Sequence, residues 1–337
     1  MTATGSTMRL RVDTWDPSYG ASTDDQAAIR QSRVDVALDV EMPMKSWRPV
    51  DPAPGVAAEP SVLFIDGVRR IDAIAWVDSS PDADGAPAMG LLASYAAGAV
   101  HCRADGARLA AATVHRGLFT GAEDAADLVT SAGTYAKVAV QINSSGSAPA
   151  QQLSEAVQSR MRALEADIAT AARSESGLPG VSGESHGSTG HGLLVVDGPL
   201  RRGTRLPRTL GYAKTHATRY LPPEGNRLIG ELRPGQRTPV FALLDSTERF
   251  SWYLKLPGGG QGWSGVVRVE CASELAPADV IDLAAVSQAT LSRYACAEYK
   301  DSRAPQNLHP IAGLERQLRR RLGDQGLLHR AIRSATH

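Results

Sequence analysis

The sequence predicts an α/β fold: a mixed central sheet flanked by helices, with a helical arm at the amino end. Three observations predict it. Val62-Leu63-Phe64-Ile65 and Leu193-Leu194-Val195-Val196 are uninterrupted runs of large apolar residues, the pattern of strands buried on both faces. Between them, Leu153, Val157, Met161, Leu164 and Ile168 recur at helical spacing within residues 148–173. Both apolar runs end in Asp-Gly, at Asp66-Gly67 and Asp197-Gly198. Each should place one carboxylate at the carboxyl end of a buried strand, followed at once by a sharp turn.

Taken in order, residues 1–60 read as an arm and helix. Thr23-Asp24-Asp25-Gln26 has the hydroxyl cap and acidic first turn of a helix start, and the helix is expected to reach about Val40. Four prolines between Trp47 and Pro60 mark a connector. Val62–Asp66, Arg69–Val77 and Gly90–Cys102 follow closely enough to form an antiparallel meander. Residues 120–129 and 148–173 read as helices, and 177–192 (GLPGVSGESHGSTGHG) as a flexible insertion. Further strands are expected at 239–244, 251–256 and 265–271, and further helices at 277–299 and 311–322. Residues 61–325 form the main domain in this reading, and 326–337 a tail.

Composition sets limits. The chain has 337 residues and is 42% hydrophobic, enough for one or two domains with a real core. Lys+Arg and Asp+Glu balance at 36 each, so no global field selects a partner. No run approaches the roughly 18–20 apolar residues of a membrane span, and the amino terminus lacks the apolar centre of a secretory signal. A cytoplasmic protein without membrane contact is expected. Cys102, Cys271 and Cys296 are odd in number and scattered, which suits buried free thiols, Cys102 in a strand and Cys296 in a helix. No GxxxxGK[ST] loop and no GxSxG elbow occur. PGGGQG at 257–262 reads as a hairpin loop. His186 and His191 sit in the flexible insertion, and His101 and His115 read as ordinary surface or core histidines.

A three-strand meander whose first strand holds an Asp, then a helix, then a strand ending in Asp, is the element order of a ribonuclease H-like fold. Hard divalent cations prefer carboxylate oxygens, and paired ions can activate water and stabilise a leaving oxygen. Asp66 and Asp197 are candidate ligands. Glu165 on the intervening helix is the choice for a third, with Glu155 and Asp167 as competitors. The bland alternatives are a simple turn for each Asp-Gly and a solvated helix face for Glu165.

Downstream the charge becomes lopsided. Residues 201–237 carry Arg201, Arg202, Arg205, Arg208, Lys214, Arg219, Arg227, Arg233 and Arg237 against only Glu224 and Glu231. Such a tract suits a phosphate polymer, with Tyr212, His216 and Tyr220 as stacking surfaces. A second cluster, Arg316, Arg319, Arg320 and Arg321, lies on a late helix and would serve subunit contacts or a partner.

FIDGVRRIDA at 64–73, LLVVDGPL at 193–200, GYAKTH at 211–216, WYLKLP at 252–257 and APQNLHPIAGLE at 304–315 together resemble the NurA nuclease family. The resemblance spans roughly residues 61–322. It implies a ribonuclease H-like core, a homodimer, and Mn²⁺-dependent (or Mg²⁺-dependent) hydrolysis of DNA at a site of two ions. It also implies a hexameric HerA-type translocase as partner in DNA end processing or defence. The resemblance makes Asp66, Glu165, Asp197 and His309 metal ligands and places Lys214 at the scissile phosphate. Arg69, Arg201, Arg202, Arg205 and Tyr253 are expected on DNA. The family pattern continues its first motif with Ser, where this chain has Val68, and Pro199 replaces a small polar residue in the second. Two other classes stay open: a non-catalytic DNA clamp on such a motor, and an actin-like ATPase or sugar kinase whose Asp-Gly turns would hold phosphates.

Overall fold

The computed structural model describes residues 30–31, 34–77, 87–144, 146–176, 192–216, 218–245, 248–297 and 303–336. In chain order the elements are β1 (Arg30–Gln31), β2 (Asp35–Ala37), β3 (Val62–Val77), β4 (Ala88–Arg103), β5 (Gly106–Thr120), β6 (Leu128–Thr130), β7 (Gly133–Ala139), α1 (Pro149–Ser176), β8 (Leu193–Asp197), β9 (Thr209–Ala213), β10 (Thr218–Arg219), α2 (Pro223–Glu231), β11 (Phe241–Leu244), β12 (Arg249–Lys255), β13 (Val266–Ala272), α3 (Pro277–Leu291), α4 (His309–Arg321) and α5 (Gln325–Ala335). The chain divides into two compact units. The first is built from residues 59–212, 269–274 and 310–337, the second from 213–268, 275–309 and the described part of 1–58.

In the first unit the strands run in the order β9-β8-β3-β4-β5-β7-β6. The meander β3-β4-β5 is antiparallel, and β8 lies parallel to β3. Meander, helix and parallel strand therefore come in the order expected of a ribonuclease H-like core. Helix α1 covers one face. Its Leu153, Val157, Met161, Leu164 and Ile168 pack on Leu63, Ile65, Tyr95, Ala97, Ala99, Leu194 and Val196. Strand β4 is rich in Ala and Gly because a helix presses on both of its faces. A Cβ on Gly98 would meet Leu314 Cδ1 of α4 at 3.0 Å, on the face opposite α1. Helix α5 joins that opposite face, its Ile332 clustering with Leu92, Leu118 and Tyr135.

The second unit pairs β11 antiparallel with β2 and β12, and β13 lies beside β12. Leu221, Ile229, Leu232, Phe241, Leu243, Tyr253 and Val266 form its core. A buried ion pair pins this unit: Arg237 donates from Nη1 and Nη2 to Glu41 at 2.6 and 2.9 Å. The glycine-rich loop at 257–262 does join two strands, and it closes around an ammonium. Lys255 Nζ donates to Gly260 O and Gly262 O at 2.8 and 2.9 Å, and to Ser264 O.

Several expectations need correction. The start of the expected amino-terminal helix lies outside the described residues, and its later part, Asp35–Ala37, is a strand. Val62–Asp66 and Arg69–Val77 are a single strand, so the chain does not turn at Asp66-Gly67. The third meander strand is β5, which the sequence reading passed over. Residues 121–127 are not helical, and Leu128–Thr130 is a strand hydrogen-bonded to β7. The residues read as a tail form α5. Cys296 follows the end of a helical stretch rather than lying in one, and all three cysteines are buried thiols outside any disulfide. The insertion with His186 and His191 lies outside the described residues. No helix among the described residues is long and apolar enough to cross a membrane.

Candidate active site

Strand pairing brings the two Asp-Gly motifs together. The parallel register of β3 and β8 runs from Val62 beside Leu193 to Ile65 beside Val196. The next residue on each strand is Asp66 and Asp197, and adjacent strands stand about 4.8 Å apart. Strand β8 ends there, and Gly198 turns the chain away at φ 96°. Gly67 serves a different purpose. A Cβ on it would lie 2.5 Å from Glu165 Oε1, so the missing side chain is the space that the Glu165 carboxylate occupies.

Glu165 is 8% exposed, whereas its competitors Glu155 and Asp167 are exposed. Burial first and the Asp197 charge second push its pKa up to about 8. The guanidiniums of Arg162 and Arg201 act in the opposite direction. The carboxylate pair thus sits inside a cationic rim. Desolvation lowers the pKa of Arg162, and the charges of Arg201 and Arg69 lower it again. Arg69 is held in place by α1: its Nε donates to Gln158 Oε1 at 2.6 Å and its Nη1 to Ser154 Oγ at 3.3 Å.

Among the described residues no three His, Cys, Asp or Glu side chains form a group that would by itself hold a metal ion. Strand alternation gives the reason. The register of β3 with β4 is unbroken from Val62 to Ile71. Leu63, Ile65, Gly67 and Arg69 therefore share the face under α1, and Asp66 points to the face under α4. Glu165 and Asp66 approach the end of β8 from opposite sides of the sheet.

The loop after Asp197 is anchored on its own strands. Gly198 N donates to Tyr212 O at 2.8 Å, and Leu200 N donates to Glu270 Oε2 at 2.8 Å. Glu270 is fully buried. Sequence reading missed it, although an acid inside the apolar run of β13 was the available signal. Arg162 was missed as well, one turn before Glu165 on the same helix face.

The other sequence candidates are dispersed. Arg205 Nη1 pairs with Glu274 Oε1 at 2.7 Å, and Arg208 Nη2 with Glu59 Oε2 at 2.5 Å. With Arg237 on Glu41, three cations of the basic tract answer carboxylates of this chain from outside the tract. The described structure does not include the Arg202 side chain. Lys214, Tyr253 and His309 belong to the second unit. There Lys214 Nζ donates to Asn307 Oδ1 at 3.0 Å, and His309 Nδ1 lies 3.5 Å from Cys296 Sγ. Tyr253 is fully buried, stacked on Phe241 at 5.9 Å, so it is a core ring and not a DNA contact. Of the expected stacking surfaces, Tyr212 is fully buried and Tyr220 is covered by Arg268, 4.7 Å from its ring. His216 packs on Trp263, and burial lowers its pKa to about 4.

No family model and no curated protein matches the chain. Among solved structures it is similar to the NurA nuclease from Sulfolobus solfataricus, at 11% identity and a TM-score of 0.46, over 82% of this chain and 84% of that one. That protein carries the name of the family the motifs resemble. A likeness of this size has no functional weight of its own, and the chemistry is read from the residues.

Proposed function

We propose that the chain is a divalent-metal-dependent DNA nuclease. The observation that carries this reading is the placement of Asp66 and Asp197 at matched positions on two adjacent parallel strands, with the buried Glu165 coupled to Asp197. A carboxylate whose pKa is raised by burial and then by a second carboxylate favours any ligand that brings positive charge. All the donors are oxygens, which fits Mg²⁺ or Mn²⁺. At the end of β8, Asp66 and Asp197 would hold such an ion from one side of the sheet and Glu165 from the α1 side. Bound ions would activate water and stabilise the leaving oxygen of a phosphodiester. Arg69, Arg162 and Arg201 repel one another around the carboxylates, and a phosphate between them relieves that repulsion. Arg69 and Arg162 would hold the backbone without reading sequence.

From the motif resemblance we further propose that the protein acts as a homodimer in the cytoplasm, with a hexameric HerA-type translocase, in DNA end processing or defence. His309 and Lys214 remain proposed participants on that resemblance alone. The actin-like reading loses its basis at β3, which runs on through Asp66-Gly67 without a phosphate-binding turn.

The test is a nuclease assay on single- and double-stranded DNA with Mn²⁺ or Mg²⁺. Native protein should cleave, and Asp197→Asn and Asp66→Asn should each lose at least a hundredfold in rate, the cost of removing about 3 kcal/mol of transition-state stabilisation. Unchanged cleavage in both variants would sink the site. DNA binding that is indifferent to metal and to both substitutions, without cleavage, would favour the clamp.

A further inference from the structure

We propose that the outer surface of α4 and α5 is a second binding surface for duplex nucleic acid, separate from the carboxylate site. In a chain of zero net charge, residues 309–336 hold six arginines and only two acids. Both acids are engaged. Glu315 pairs with Arg319 at 2.9 Å, and Asp324 accepts from Leu327 N as the cap of α5. Arg316, Arg320, Arg321, Arg330 and Arg333 are exposed, and no ion pair among the described residues uses them.

The bland account is that arginines near a helix end complement its dipole. At the carboxyl end of α4 that position is already filled, and on α5 Arg333 alone lies in the last turn. Arg116 Nη2 donates to Leu322 O at 3.2 Å, and Arg70 Nη1 donates to Gly323 O at 2.9 Å. Five further exposed guanidiniums on these two helices, without an ion-pair partner among the described residues, concentrate like charge on one stretch of surface, which a polyanion would neutralise. Arg316 and Arg320 are one turn apart on α4, and Arg330 and Arg333 likewise on α5, so each pair faces one way. An anionic membrane fits less well. Surface-bound helices insert an apolar face, and here Ile311, Leu314, Leu318, Leu328 and Ile332 are buried in the protein. The choice of nucleic acid among polyanions rests on the nuclease reading. The surface would supply salt-dependent, sequence-independent affinity.

The experiment measures binding of a fluorescently labelled duplex to the full chain by anisotropy, in EDTA, across a salt series. The variant replaces Arg316, Arg320, Arg321, Arg330 and Arg333 by Gln, and a companion set replaces them by Lys. Each phosphate contact contributes roughly 0.9 to the slope of log affinity against log salt, so the Gln variant should lose about 4 to 5 from that slope. The Lys variant should retain it. With metal restored, the Gln variant should show a raised KM and an unchanged kcat. A native slope in the Gln variant overturns the proposal. So does arginine-dependent capture by vesicles of phosphatidylcholine and phosphatidylserine in equal parts without duplex binding. Because EDTA stops cleavage, the two readings fail separately. Arginine-dependent binding without any cleavage in metal removes the nuclease, whereas cleavage with an unaltered slope removes this surface.

Discussion

Glu165 is a carboxylate kept out of water by α1 above it and β3 below. Its pKa of about 8, against an ordinary 4.5, means that the folded protein keeps a proton the unfolded chain has lost. This contribution to stability is fully present below about pH 4.5 and is lost as pH rises toward 8. In metal-free buffer, Glu165→Gln should therefore equal native protein at low pH and exceed it near pH 8 by roughly 2–5 kcal/mol, read from urea midpoints. A variant no more stable at pH 8 would show the carboxylate to be solvated. Gly67 is the companion position. Gly67→Ala forces a methyl onto Glu165 Oε1, where overpacking costs about 1–3 kcal/mol and pushes the carboxylate off the strand. More than tenfold loss of cleavage should accompany a modest fall in Tm. Full activity would mean that Glu165 has no need of that seat.

At the scale of elements, α1 was legible because its signal is local: apolar side chains every third or fourth residue mark a face wherever the helix docks. The apolar runs of β3 and β8 were legible for the same reason. The turn at Asp66-Gly67 was misread because Gly permits a turn without requiring one, and here it makes room for a helix side chain. Residues 120–129 misled because Leu128–Thr130 is a strand only by pairing with β7, a partner no local window shows. The register of β3 on β4 shifts between Ile71 and Ala73, which leaves Asp72 at the irregularity. Asp72 turns inward there and accepts from Arg70 Nε at 2.8 Å, Ser94 Oγ at 2.5 Å and Tyr135 OH at 2.9 Å. Tyr135→Phe removes one donor from a buried carboxylate, and should lower stability by about 1–3 kcal/mol without altering DNA affinity. A urea midpoint that does not move would show that Arg70 and Ser94 suffice.

For the whole molecule, metal binding should register as stability. A divalent ion at a hundred times its Kd adds about 2.7 kcal/mol to a fold that alone presents the site. Mn²⁺ or Mg²⁺ should raise the Tm of native protein, and Asp197→Asn should erase most of the rise. An equal rise in both would place the ion elsewhere. The basic tract at 201–237 shows how far charge can be judged from one stretch of chain. Its excess is real in sequence, yet Arg205, Arg208 and Arg237 meet Glu274, Glu59 and Glu41, acids distant in sequence and invisible to a local count. By itself the sequence determined which segments are buried, where the long helix lies, and which carboxylates end or punctuate apolar runs, because burial and helical period are written in neighbouring residues. Only the tertiary structure decided that Asp66 and Asp197 share a register, that Glu165 rests on Gly67 from the other face, and which arginines of the basic tract meet distant acids. Pairing, facing and neutralisation are relations between residues far apart in the chain, and folding alone brings those residues together.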